Sequence, residues 1–223
     1  MKDDLFTISG KKPDQYAPQY IVEPASFSCV DAKYISEQIL LIDLGEAFPD
    51  SSPPTHGVGT PVSYCSPELI LERKASRASD IWALACTVFQ MRFGFPLFES
   101  FIGSSHEVLE ETVRILGMPP ESSHSLWKKK GVTIPDHVQL DGAPLFDRMM
   151  EIGMYDEESA AYNSDIASLN KHAILEPSGK RFSTDEAIDL TGLLQKMLDY
   201  TPENRMSAGN VTNHSWFADK ERS

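Results

Sequence analysis

Residues 79–92 read Ser-Asp-Ile-Trp-Ala-Leu-Ala-Cys-Thr-Val-Phe-Gln-Met-Arg, and this stretch decides the fold class. Ile81, Leu84, Ala85, Val88 and Phe89 fall at i, i+3, i+4, i+7 and i+8, one apolar stripe of a helix. Trp82, Cys86 and Met91 widen the stripe, so the helix is expected to be buried on most sides. Ser79 or Asp80 is the expected cap, and Gly94 and Pro96 the stop. A helix with so wide an apolar face needs other helices around it, and the sequence downstream supplies them.

Ser104 and Glu107 have capping-box spacing ahead of a helix predicted over 105–116, with Gly117 and then Met118-Pro119-Pro120 as its end. Ser183 and Glu186 repeat the spacing ahead of a helix over 184–199, whose buried stripe is Leu190, Leu193, Leu194, Met197 and Leu198. Thr201-Pro202 closes it, and a short helix over 207–213 leads to Trp216-Phe217. Between the second and third helices, residues 136–165 carry eight acids and one arginine.

Upstream of residue 79 the pattern changes. Residues 38–42, Gln-Ile-Leu-Leu-Ile, form a short apolar run and are predicted as a buried β piece running into Asp43-Leu-Gly45. Residues 48–61, FPDSSPPTHGVGTP, hold four prolines and two glycines and are read as a loop. Ser51, Ser52 and Thr55 in it are candidate phosphorylation sites. Residues 1–37 read as an irregular lead-in, with a short extended piece at Gln19–Val22.

Composition narrows the function. The chain has 223 residues, 41% apolar and 24% charged, enough for a real core. Twenty basic against 33 acidic side chains give a net charge of −13. The clustered Lys and Arg of a nucleic-acid surface are missing, Lys128, Lys129 and Lys130 excepted, so no nucleic-acid partner is expected. An acidic surface suits a basic protein or peptide instead. No apolar run is long enough to span a membrane, and the opening MKDDLFTISGKKPDQ lacks a secretory core. Cys29, Cys65 and Cys86 have no metal-finger spacing and suit a reducing compartment, so a cytoplasmic or nuclear location is expected.

Four motifs fall in one order: Asp43-Leu-Gly45, Ser66-Pro67-Glu68, Asp80-Ile-Trp-Ala-Leu-Ala85, and Arg205 after Tyr200-Thr-Pro202. This order resembles the C-terminal lobe of a eukaryotic protein kinase, with DLG and SPE standing for the family's D-F-G and A-P-E. DLG with Ala47 two places on resembles the SR-protein kinases, whose form is DLGNA. The Leu-Gly-Met-Pro-Pro120 stretch resembles the wider group of cyclin-dependent, MAP and SR-protein kinases, and His214-Ser-Trp-Phe217 the end of the kinase domain. The implied architecture is a mainly α kinase C-lobe fragment over residues 38–218, with an activation segment at 43–68 and a helical body at 79–218.

The resemblance implies roles position by position. Asp43 matches the aspartate that holds Mg²⁺ on the ATP phosphates, and Gly45 the glycine that lets the chain turn where a side chain would clash. Gly59, Thr60, Pro61 and Tyr64 match the loop that receives the protein substrate. Thr60 lies one residue farther from Tyr64 than the usual kinase threonine. Glu68 and Arg205 match a structural pair joining the activation segment to the helical core. Asp80 matches the aspartate that anchors the catalytic loop, and it also suits an N-cap. ATP and Mg²⁺ are the implied cofactors. Protein Ser or Thr is the implied acceptor, in a basic or Arg/Ser-rich substrate if the SR-protein-kinase likeness holds.

The sequence contains no G-x-G-x-x-G loop, no V-A-I-K lysine and no H-R-D catalytic loop, so no residue is assigned as catalytic base. The expectation is a kinase piece that does not turn over unaided. The alternative is a pseudokinase-like binding module or relic that holds a partner without catalysis.

Overall fold

Helical periodicity accounts for nearly every element in the computed structural model, which describes residues 3–4, 20–21, 38, 40–55, 58–93, 95–133, 144–153 and 183–217. The helices are α1 (Pro67–Glu72), α2 (Arg77–Phe93), α3 (Ser105–Leu116), α4 (His124–Lys129), α5 (Pro144–Gly153), α6 (Thr184–Met197) and α7 (Ala208–Thr212). Two-residue strands, β1 (Asp3–Asp4) and β2 (Tyr20–Ile21), pair antiparallel with Asp3 opposite Ile21 and Asp4 opposite Tyr20. β2 falls inside the extended piece expected at 19–22. The rest of the expected lead-in lies outside the described residues.

α2 is the hub of the fold. Trp82, Ala85 and Phe89 lose all contact with solvent. They pack with Leu190, Leu193, Leu194 and Met197 of α6, with Val108 of α3 and with Leu145 and Met149 of α5. Trp82 stacks on Phe98 at 5.5 Å between ring centres. A second cluster joins Leu109 and Val113 of α3 to Trp127 of α4 and to Val132. The Tyr200 hydroxyl ties the end of α3 to the end of α6 by donating to the Gly117 carbonyl at 2.7 Å. α2 is less enclosed than its composition implies. Asp80, Leu84, Thr87 and Met91 form an exposed strip, with Leu84 40% and Met91 60% accessible.

Four local expectations are corrected. The β piece at 38–42 does not form: among the described residues no strand pairs with it, and Leu40, Leu41 and Ile42 are exposed. An apolar run becomes a strand only where a neighbouring strand takes its backbone hydrogen bonds. Neither Ser79 nor Asp80 caps α2. The helix starts at Arg77, Ser76 Oγ accepts the Ala78 N–H, and Ser79 Oγ accepts the Ser76 N–H in return. At α3, Ser104 Oγ accepts from the His106 N–H, but Glu107 turns away to accept from Ser100 Oγ at 2.6 Å. At α6, Ser183 Oγ accepts the Glu186 N–H, while the Glu186 carboxylate pairs with Arg92 at 2.8 Å. Both boxes therefore form by half, because Glu107 has a partner in the preceding loop and Glu186 one on α2.

α5 arises within the acidic 136–165 stretch, whose other residues lie outside those described. It exists because Leu145 and Met149, one turn apart, are buried against α3 and α6. No helix among the described residues is long and apolar enough to cross a membrane.

Candidate functional site

The segment 43–68 enters on a turn, crosses a proline-rich loop and ends on α1. Pro67 occupies the first turn of α1, where its missing N–H costs nothing, and Glu68 beside it is buried. Glu68 meets Arg205 in a bidentate pair, with Nη1 to Oε1 and Nη2 to Oε2 both at 2.7 Å. The two side chains are 9% and 1% accessible, so the pair is buried. Arg205 also donates from Nε to the Asp199 carbonyl at 2.8 Å and from Nη1 to the Ala78 carbonyl at 2.9 Å. Its guanidinium lies 5.0 Å from the Trp82 ring centre. Ser79 Oγ donates to Glu68 Oε1 at 3.0 Å. Burial pushes the Glu68 carboxyl up, but the hydrogen bonds and charge of Arg205 outweigh it and hold the carboxyl below its ordinary range. One arginine thus gathers α1, the start of α2 and the loop after α6.

Asp43 stands at the other end of the segment. Its backbone is left-handed, φ 59° and ψ 56°, and Arg73 is the other described non-glycine residue with positive φ. An aspartate tolerates this region better than most residues, and such positions concentrate at functional sites. The turn Leu44–Glu46 follows directly, and the Asp43 side chain is open to solvent. Gly45 is not needed there for steric reasons. It is not among the positive-φ residues, and a Cβ on it would meet Asp43 Oδ1 at 3.8 Å, an ordinary contact. The strained conformation belongs to Asp43 itself.

Gly59, Thr60 and Pro61 run along the surface into the turn Val62–Tyr64. The Cys65 thiol donates to the Thr60 carbonyl at 3.4 Å and lies 3.6 Å from the Pro61 carbonyl oxygen. Burial pushes that thiol up to about 11, so it is a neutral packing group at physiological pH. The Tyr64 hydroxyl donates to Gln90 of α2. Asp80 lies on the exposed strip of α2, where partial desolvation raises its carboxyl. The fold brings Glu68 and Arg205 together, while Asp80 is not part of their hydrogen-bonded cluster. Sequence reasoning passed over Glu46, whose carboxylate accepts the Gly59 N–H at 3.1 Å. It also passed over Ser79 as the third member of the Glu68 cluster, and a hydroxyl beside the Asp80 motif was the signal for it.

Mg²⁺ takes one or two protein carboxylates and completes its shell with water and phosphate oxygens. The solvent-open carboxylate of Asp43 fits that pattern. Among the described residues no three His, Cys, Asp or Glu side chains gather into a metal cluster.

The chain matches the family described as "Protein kinase domain" over residues 32–217. It is 28% identical to the serine/threonine-protein kinase Doa of Drosophila melanogaster over 184 residues, 80% of this chain and 20% of that protein. Identity to the dual specificity protein kinase CLK2 of Mus musculus is 29% over 186 residues, 82% of this chain and 32% of CLK2. Identity to the probable serine/threonine-protein kinase sky1 of Dictyostelium discoideum is 29% over 192 residues, 80% of this chain and 25% of sky1. The matched region thus spans about a fifth to a third of these relatives. With the DLG turn and the SPE helix in order, and with Glu68 paired to Arg205, the match over most of its length places this chain in the protein kinase family.

Proposed function

We propose that this chain is the activation segment and helical lobe of a serine/threonine protein kinase, of the SR-protein-kinase-like kind, that moves the ATP γ-phosphate to a protein hydroxyl. The observation that carries the reading is the bracketed segment 43–68, with the left-handed Asp43 at one end and the buried Glu68–Arg205 pair at the other. In this reading Asp43 holds Mg²⁺, which when bound neutralises charge on the transferring phosphate. Gly59–Tyr64 receives the substrate chain next to the acceptor hydroxyl. Glu68 and Arg205 hold the segment's end on the helical body, and Asp80 anchors a catalytic loop.

The acidic surplus of −13 favours a basic, Arg/Ser-rich substrate. The DLG-x-A spelling and the serine/threonine and dual-specificity names of the relatives favour the same kinase kind and, with it, a nuclear or cytoplasmic location. The 223 residues alone are proposed to be inactive, because the sequence holds no H-R-D base, strand lysine or Gly-rich loop, and phosphoryl transfer needs these parts together.

The test is a chimera in which residues 38–218 replace the matching segment of a relative's kinase domain. Transfer of labelled γ-phosphate to an Arg/Ser-rich peptide is expected, and its loss in Asp43→Ala. A folded, ATP-binding chimera with Asp43 intact that phosphorylates no protein would sink the reading and favour a binding module. The exposed strip of α2 is the observation in favour of that second reading.

A further inference from the structure

Packing does not hold Asp43 in place. The turn Leu44–Glu46 buries none of its residues, Leu44 is 62% exposed, and Leu41 and Ile42 ahead of it are more exposed still. The far end of the same loop is anchored. Tyr64 bonds to Gln90, Cys65 bonds back to Thr60, and Val62 and Tyr64 pack against the main core. The free end meets the anchored end where the Gly59 N–H donates to Glu46 Oε2. The contact is close: a Cβ on Gly59 would lie 3.5 Å from Glu46 Cδ. A second tether, Asp50 to Arg77 at 2.8 Å, holds the middle of the loop to the start of α2 but lies four residues past Glu46.

We propose that Glu46 is a positioning residue: its carboxylate latches the Asp43 turn to the backbone of Gly59 and so sets the metal-holding end of the segment against the substrate-receiving end. An ionised acceptor gives a stronger bond to a backbone N–H than a neutral one. Closing the loop between residues 46 and 59 costs chain entropy that this bond must offset. The proposal rests on the reading of Asp43 as metal-holding and of Gly59–Tyr64 as substrate-receiving.

The test is amide hydrogen exchange and ¹⁵N relaxation on the full chain and three variants. In Glu46→Ala, the amides of Gly59 and Ala47 should exchange about tenfold faster or more, the loss of one charge-assisted hydrogen bond. Glu46→Gln keeps an acceptor and should stay within about threefold of the parent. The Cys65 amide, bonded to the Val62 carbonyl, should not change in either variant. Arg77→Ala should leave Ala47 and Gly59 unaffected. Unchanged exchange in Glu46→Ala, or equal release by Arg77→Ala, overturns the latch. Mn²⁺ added with ATP to the same samples tests the underlying reading separately, the nucleotide supplying the phosphate oxygens that complete the ion's shell. Broadening of the Leu44 and Gly45 amides, lost in Asp43→Asn, reports the metal. If it spreads to Thr60–Tyr64 in the parent but not in Glu46→Ala, the latch sets the distance between the two ends. Absent broadening removes the metal role while the exchange data still decide whether the latch exists.

Discussion

Arg205 reaches Glu68 across 137 residues of sequence and grips both carboxylate oxygens at 2.7 Å. The contact staples the end of the 43–68 segment to the start of α2 and to the loop after α6, because the same guanidinium also donates to the Ala78 and Asp199 carbonyls. Both side chains are buried, so each charge depends on the other for most of its compensation.

Removing one partner should therefore cost far more than a surface ion pair is worth. Glu68→Ala or Arg205→Ala is expected to destabilise the fold by about 3–5 kcal/mol, against about 0–1 kcal/mol for an exposed pair. Arg205→Lys should recover only part of the loss, since an ammonium replaces a planar fork that reaches several acceptors at once. Urea unfolding at neutral pH checks this. A loss below about 1 kcal/mol for both alanine variants would mean that the pair is solvated in solution.

Trp82 lies under the same guanidinium and against Phe98, with no exposed surface. Its indole N–H has no hydrogen-bond partner among the described residues. Truncation to alanine should cost about 3–5 kcal/mol through lost contacts and a cavity. Trp82→Phe should cost clearly less, because it keeps a ring under Arg205 and gives up no hydrogen bond. Chemical denaturation of the two variants side by side checks the ordering.

α2, α3, α6 and α7 were legible because their signals are local, while α1 and α4, six residues each, are too short to show a period. α3 starts and stops at Ser104 and Gly117, and α6 buries the leucines its period marks. What sequence reading misplaced depends on partners far along the chain. Ser76, Ser79 and Asp80 all suit a cap, and the choice falls to Ser76 while Ser79 bonds Glu68. Residues 38–42 have the composition of a strand, but a strand is defined by its neighbour. α5 was hidden by acidic flanks, although Leu145-Phe146 and Met149-Met150 are one turn apart. Glu46 carries no periodic signal, because a loop carboxylate is assigned only by the N–H it meets.

The exposed strip of α2 separates two kinds of apolar residue in one helix. Met91→Gln should change stability by less than about 0.5 kcal/mol, since that side chain is mostly in water, while Leu84→Gln, at a side chain more covered than open, should cost more. Ala85 and Phe89, on the opposite face, have no accessible surface, and Phe89→Ala should cost about 3–5 kcal/mol. The double Leu84→Gln, Met91→Gln protein should also self-associate less, because it removes two of the exposed apolar side chains, with Leu40, Leu41 and Ile42 left in place. Thermal melts and light scattering check both statements. A melting temperature that falls in Met91→Gln alone would show that something covers the strip.

The depressed Glu68 carboxyl fixes the sign of a pH effect. Burial raises it, Arg205 lowers it more, and the folded value lies below the ordinary 4.5. At a pH where the unfolded chain binds this proton and the folded chain does not, protonation favours unfolding. The stabilisation is therefore complete above about pH 5, where an unfolded glutamate is already ionised, and is lost as pH falls through the folded value. Glu68→Gln removes the titrating group and weakens the pair, so it should be less stable at pH 7 and lose less stability between pH 5 and pH 3 than the parent. Urea unfolding across that range checks the slope. An acid limb as steep in Glu68→Gln as in the parent would assign the acid sensitivity to other carboxylates and leave Glu68 protonated or unpaired in solution.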